Sequence, residues 1–168
     1  MTRIYQFAFF LALGLLIGCG GKVENTEGGG QKGQEPKMET QNETSASDAV
    51  PASERITLDN KGVGKIKNVD LNPTVDQDMV DRGEALFKAN CTACHKGDKR
   101  FIGPSPTGIM DRRSPEWIMN MILDPKLMTE QDQLAKDLLV EFNGAAMANQ
   151  NLTEEQARDI LEYFRTLK

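Results

Sequence analysis

Five consecutive residues concentrate the reactive chemistry of this chain: Cys91-Thr92-Ala93-Cys94-His95. The 168 residues hold three cysteines and one histidine, and all of these but Cys19 fall inside that run. Two cysteines three positions apart on a helical turn face the same side. Their thiols can add to the two vinyl groups of a haem, and the adjacent histidine is then carried under the iron. This is the C-x-x-C-H attachment signature. Other uses of a cysteine pair fit less well. Zinc wants four N, S or O ligands, and the chain has no further histidine and no cysteine besides Cys19. A thioredoxin-like pair wants a βαβ setting, which the pattern lacks. A plain disulfide in an oxidising compartment stays open.

The elements that must hold this run read as helices. From Asp76, apolar and small residues recur at three and four positions (Met79, Gly83, Leu86, Phe87) and lead straight into Cys91. Ser114-Pro115 is an N-cap followed by proline at the first helical position. It opens a second helix with Trp117, Ile118, Met121 and Ile122 on its apolar face, and Pro125 is expected to end it. A third runs from about Gln131 to Phe142, with Leu134, Leu138 and Phe142 on one side and Gly144 after its end. The last starts at Thr153, whose capping box with Gln156 precedes the stripe Ala157, Ile160, Leu161, Phe164 and Leu167. The expected fold is all-α, about four helices over residues 76–168 around one haem. A domain of that size is marginal on a protein core alone, so a large buried cofactor would add strongly to its stability.

The N-terminal third reads differently. Arg3 and the apolar stretch from Ile4 to Ile17 form a signal segment too short for a comfortable membrane span. Leu16-Ile17-Gly18-Cys19 resembles the bacterial lipobox, which implies cleavage after residue 18 and acyl chains on Cys19. Residues 19–55 are rich in Gly, Glu, Gln, Ser and Thr and poor in large apolar residues. Such a tract cannot offset its ordering entropy, and a disordered tether is expected. In residues 56–75, apolar positions such as Ile56, Leu58, Val63 and Ile66 alternate with Gly62, Gly64 and Pro73. An extended arm on the domain surface is expected there.

With these motifs in place, residues 76–168 resemble the class I c-type cytochromes. Gly83 and Phe87 before Cys91 match that family's first-helix pattern, Gly103-Pro104 with Gly108 resembles its loop after the haem motif, and Tyr163 matches the aromatic where the terminal helices cross. The resemblance implies one covalent haem c, with Cys91, Cys94 and His95 attaching it and the Pro104 carbonyl accepting the free N–H of His95. It also implies a methionine as sixth ligand, and a second histidine is excluded by count. Met110, Met119, Met121, Met128 and Met147 are the candidates. Met147, in the small-residue run just before the last helix, stands where the family places its ligand, whereas Met121 fits a packing stripe and Met128 falls in a loop. Trp117 could serve a haem propionate or the core. Arg112 or Arg113 could neutralise a propionate, with an exposed position the blander expectation for both.

The expected function is single-electron transfer without enzymatic turnover. The partners would be redox proteins, reached from a lipid anchor on the outer side of a bacterial cytoplasmic membrane or in the periplasm. The alternative is a haem-based sensor or small-ligand binder with a displaceable methionine. A net charge of −5 argues against nucleic-acid binding. Charge is uneven, though: residues 82–113 carry seven Lys and Arg against three Asp and Glu, and residues 114–168 carry five against ten. The first segment could steer an acidic partner toward the haem edge.

Overall fold

The computed structural model describes residues 50–168. They form five α-helices: α1 (Gln77–Asn90), α2 (Pro115–Leu123), α3 (Pro125–Gln131), α4 (Gln133–Glu141) and α5 (Glu154–Phe164), with one 3-10 turn at Ile109–Asp111. The signal segment, Cys19 and the tether up to residue 49 lie outside the described residues.

α1 begins where the Asp76 carboxylate accepts the Met79 N–H at 3.0 Å and ends where Cys91 N–H reaches the Phe87 carbonyl at 2.9 Å. It buries Val80, Gly83 and Phe87 against α5. Gly83 is required there: a Cβ would stand 2.0 Å from the Asp159 carbonyl oxygen, so the two backbones meet directly. One turn on, the Phe87 ring packs against Tyr163 and Phe164 at centroid distances of 5.7 and 5.6 Å. Arg82 clamps the crossing with two 2.9 Å bonds to Asp159. Glu162, 1% exposed, joins the ends of both helices. Burial opposes its ionisation, but Asp76 N–H, Arg158 and Arg165 outweigh that and hold the carboxyl below its usual range.

The end of α2 departs from the expected four-helix pattern. Asp124 closes α2 and caps α3, accepting the Leu127 N–H at 3.0 Å, and Pro125 starts the new helix instead of ending a run. Met128 is therefore helical and fully buried, not in a loop, and its sulfur accepts the Val63 N–H at 3.1 Å. Asp132 likewise starts α4.

Residues 56–75 carry no helix and lie on α2 and α3. Asn120 binds the Ile66 N–H (3.0 Å) and carbonyl (2.9 Å), and Glu116 takes the Val69 N–H at 3.2 Å. A Cβ at Gly64 would stand 2.3 Å from the Asn120 side chain, so the glycines allow the close approach. Residues 50–55, which composition assigns to the tether, pack on the domain: Ala52 is 3% exposed, and Ser53 donates its N–H and hydroxyl to Glu141 at 2.8 and 2.6 Å.

Candidate cofactor site

The helices enclose a cavity of about 220 Å³ whose border includes Cys91, Cys94, His95, Pro104 and Met147. One wall is the turn after α1. Cys94 N–H and His95 N–H both return to the Cys91 carbonyl, at 3.1 and 2.9 Å, which closes the turn on which the two thiols sit. The next loop is stitched to it where Gly103 N–H donates to the Cys94 carbonyl at 2.9 Å. Ser105 and Thr107 hydroxyls both donate to the Gly97 carbonyl. Gly103 lies against the imidazole face, where a Cβ would come within 2.6 Å of His95 Cε1.

His95 Nδ1 is 2.8 Å from the Pro104 carbonyl oxygen. A carbonyl only accepts, so Nδ1 carries the proton and donates it. In the neutral ring Nε2 is then left with a lone pair, as a metal ligand needs. Burial pushes the Cys91 thiol up to about 11, and the neighbouring Cys94 adds to the shift. Cys91 is thus a neutral thiol at physiological pH.

A second wall is the segment between α4 and α5. It opens with Asn143 and Gly144 at φ 57° and 76°. Ala145, Ala146, Met147 and Ala148 border the cavity, so small side chains frame one half-buried thioether. Gly144 N–H donates to the Leu139 carbonyl at 2.8 Å and Ala145 N–H to the Phe142 carbonyl at 3.0 Å, while further on Asn149 reaches the Leu123 carbonyl at 3.3 Å and accepts the Asn151 N–H at 2.7 Å. Of the other methionines, Met121 also borders the cavity from α2, Met119 is buried in the core and Met128 is engaged by the arm.

Two further expectations are resolved near the rim. Trp117 is a core residue whose indole N–H donates to Asp132 at 3.1 Å, so it is not free for a propionate. Arg113 is not exposed: it is 3% accessible, borders the cavity and lies over the Trp117 ring at 5.4 Å. Arg112 donates to the Thr107 carbonyl at 3.0 Å. Ser53 was missed as a wall residue, and Arg113, named as a possible propionate partner, was expected to be exposed. Ser53 falls in a polar, low-complexity tract, and Arg113 depends on partners more than fifty positions away.

The residues fit a haem. Two thiols and an imidazole with a free nitrogen stand on one wall and a thioether on another. Between them Phe87, Ile118, Ile122, Leu138, Ile160 and Phe164 make an apolar slot suited to a flat macrocycle.

Comparison with known proteins agrees. A family model described as cytochrome c matches residues 80–168. A cytochrome c2 of Rhodopseudomonas palustris is 27% identical over 115 residues, covering 52% of this chain and 96% of that protein. A cytochrome c-553-like protein of Synechocystis is 44% identical over 62 residues, covering 33% of this chain and 58% of that protein. Among solved structures, a cytochrome c from Rhodothermus marinus superposes with a TM-score of 0.61 at 39% identity, over 70% of this chain and 93% of that one.

Proposed function

The chain belongs to the cytochrome c family, and from that premise we propose a monohaem carrier whose iron lies between the imidazole of His95 and the thioether of Met147. A covalent haem c and a role in electron transport come with the family. The axial pair, the anchor and the partners are what this proposal adds. Its main support is the bond from His95 Nδ1–H to the Pro104 carbonyl, in a cavity that Met147 also borders.

The haem, when bound, supplies a one-electron iron couple. The protein's part is to hold that group still and dry. Cys91 and Cys94 are the attachment points, so the group cannot leave. Pro104 fixes the orientation of His95 and raises its basicity as a ligand. Met147 would hold the group from the other wall of the cavity, where a soft sulfur favours ferrous iron and a higher potential. With His95 and Met147 both engaged, the group would be left without an open site for a substrate. Lys96 lies over the ring of the exposed Phe101 at 5.0 Å, and Lys99 and Arg100 directly precede Phe101 and the exposed Ile102 in the chain. That surface receives a redox protein with an acidic face, and transfer to it slows as salt rises. Cys19 carries acyl chains that keep the protein at the outer side of a bacterial membrane, and the intact mass of membrane-derived protein checks this.

Axial ligation is tested by comparing Met147→Ala with Met121→Ala, since both thioethers border the cavity. The ferric wild type is expected to show the weak far-red band of an iron–thioether bond. Met147→Ala should abolish it, lower the potential and admit carbon monoxide to the ferrous form, while Met121→Ala keeps all three properties. Loss of the band only in Met121→Ala would move the ligand to α2. Ready carbon monoxide binding by the wild type would favour a sensor with a displaceable methionine.

A further inference from the structure

Three separate pieces of chain meet at one carboxylate. Glu141, at the end of α4, accepts the Ser53 N–H at 2.8 Å on Oε2 and the Ser53 hydroxyl at 2.6 Å on Oε1. Its Oε1 also takes Arg100 Nη1 at 2.8 Å, and Arg100 Nη2 donates to the Glu141 main-chain carbonyl. Ser53 belongs to the arm and Arg100 to the loop after the attachment turn, 88 and 41 positions from Glu141. The Arg100 side chain is half exposed, so water screens its charge. The two Ser53 bonds are partly buried and carry more of the junction.

This junction lies beside the cavity. Ser53 is the single residue of 50–75 that borders it. Phe142, the next residue after Glu141, borders it too and is buried. The Arg100 guanidinium lies over the Phe142 ring at 4.1 Å. Arm, attachment loop and α4 are thus drawn together along one edge of the cavity by a single side chain.

Residues 50–57 cross from α4 to the segment before α2. Arg55 reaches Asp137 of α4 at 2.5 Å, and Thr57 N–H donates to the Arg112 carbonyl at 2.9 Å. Ala52 is the one buried side chain among these eight residues. Hydrogen bonds more than apolar burial hold the segment down, so a polar substitution can release it while the core stays folded. The segment also lies outside residues 80–168, the part matched by the family model.

We propose that residues 50–57 are a strap across one edge of the cavity, that Glu141 is its latch, and that the closed strap keeps small redox molecules away from the haem. Electron exchange is thereby reserved for a docked protein. The proposal rests on the haem reading above. Glu141 is a positioning residue, because it acts through Ser53 and Arg100 and does not itself border the cavity.

The experiment uses the full-length, haem-loaded protein and two measurements. The first is amide hydrogen exchange in residues 50–57 and 98–103. The second is oxidation of the ferrous protein by ferricyanide and by tris(phenanthroline)cobalt(III), each taking one electron from the iron. The two oxidants carry opposite charge. An opened edge speeds both, whereas a change in surface charge speeds one and slows the other. Ser53→Ala deletes one bond to the carboxylate at constant charge, so exchange in 50–57 and both oxidations should rise about fivefold. Glu141→Gln sets an amide N–H2 among donors and unpairs Arg100. Exchange should then rise in both segments, and both oxidations should rise about tenfold. Unchanged oxidation in both variants overturns the shielding, as does acceleration by ferricyanide alone. Faster exchange confined to residues 50–57 in Glu141→Gln overturns the shared latch. If Glu141→Gln fails to fold, Ser53→Ala decides: wild-type exchange and oxidation overturn the proposal. Absence of covalent haem from the wild type refutes the cytochrome reading instead, and the exchange measurement still decides whether the strap is latched.

Discussion

The two walls that carry the proposed iron ligands are built in different ways. The turn holding Cys91, Cys94 and His95 continues directly from α1, and it is stitched by backbone bonds from Cys94, His95 and Gly103. Behind it stands the α1–α5 crossing, where Gly83 meets the Asp159 backbone and Phe87 packs between aromatic rings. The Met147 wall is an irregular stretch between α4 and α5, with left-handed residues at its start and one 3.3 Å bond to the end of α2. The first wall is a foundation whose geometry the fold enforces. The second is a flap of small residues with one side-chain tie to the end of α2. A weak side-chain ligand needs no more support than that, whereas a haem attachment turn must be preformed for both thiols to reach their targets.

The largest effect that separates the walls should come from the crossing. Gly83→Val places a branched side chain against the Asp159 carbonyl, 2.0 Å from its Cβ. Overpacking against backbone, with no flexible neighbour to yield, should cost on the order of 3 kcal/mol or more. Chemical denaturation of the haem-loaded protein measures this, and a cost below about 1 kcal/mol would mean that the helices separate easily and the first wall is no foundation.

Next is Glu162, which ties α5 to the first residues of α1. Its folded-state carboxyl titrates below the ordinary value because the Asp76 N–H and two arginines outweigh its burial. The folded chain therefore binds fewer protons than the unfolded one. The stability from this group is complete above the unfolded value of about 4.3 and is lost as pH falls through the lower folded value. Glu162→Gln leaves Arg158 and Arg165 without their partner and should cost on the order of 3 kcal/mol at pH 7. It should also flatten the stability profile below about pH 4.3. A variant with the wild-type acid profile would show that the network does not support the crossing.

This contrast also explains what the sequence made legible. The attachment turn is local: its five residues are consecutive, and the N-cap at Ser114 and the capping box at Thr153 are local signals too, each seen in the fold. The helix starting at Pro125 was lost because proline reads equally as a stop and as a first residue. Asp124 just before it, whose carboxylate caps Leu127, tips the balance. Arg113 was legible as a possible propionate partner but not as a buried wall residue. An arginine beside another arginine suggests solvent, and only the return of residues 50–57 buries it. Met147 stands between these cases: its position before the last helix nominated it, and the cavity leaves Met121 as a second thioether on the border.

The smallest and sharpest comparison adds a single methyl group to each wall. In Gly103→Ala the new Cβ stands 2.6 Å from His95 Cε1 and 2.9 Å from Nδ1. The ring cannot simply turn aside, because its Nδ1–H is held by the Pro104 carbonyl one residue away. Either the loop or the imidazole must move, at a cost of about 2 kcal/mol, and the Pro104 bond should lengthen or break. In Gly144→Ala the Cβ meets no atom within 4 Å, so the cost is only that of a left-handed φ of +76°, about 1 kcal/mol. The stability difference is near the limit of measurement, but the ligand signatures need not be. Gly103→Ala should change the iron–histidine stretching mode and the potential, because it displaces a ligand that has no freedom to adjust. Gly144→Ala should leave both near wild type, because strain at the hinge of a loosely tied loop dissipates before it reaches Met147. Equal spectral changes in the two variants would mean that the Met147 wall is as tightly constrained as the histidine wall, and the distinction between foundation and flap would fail.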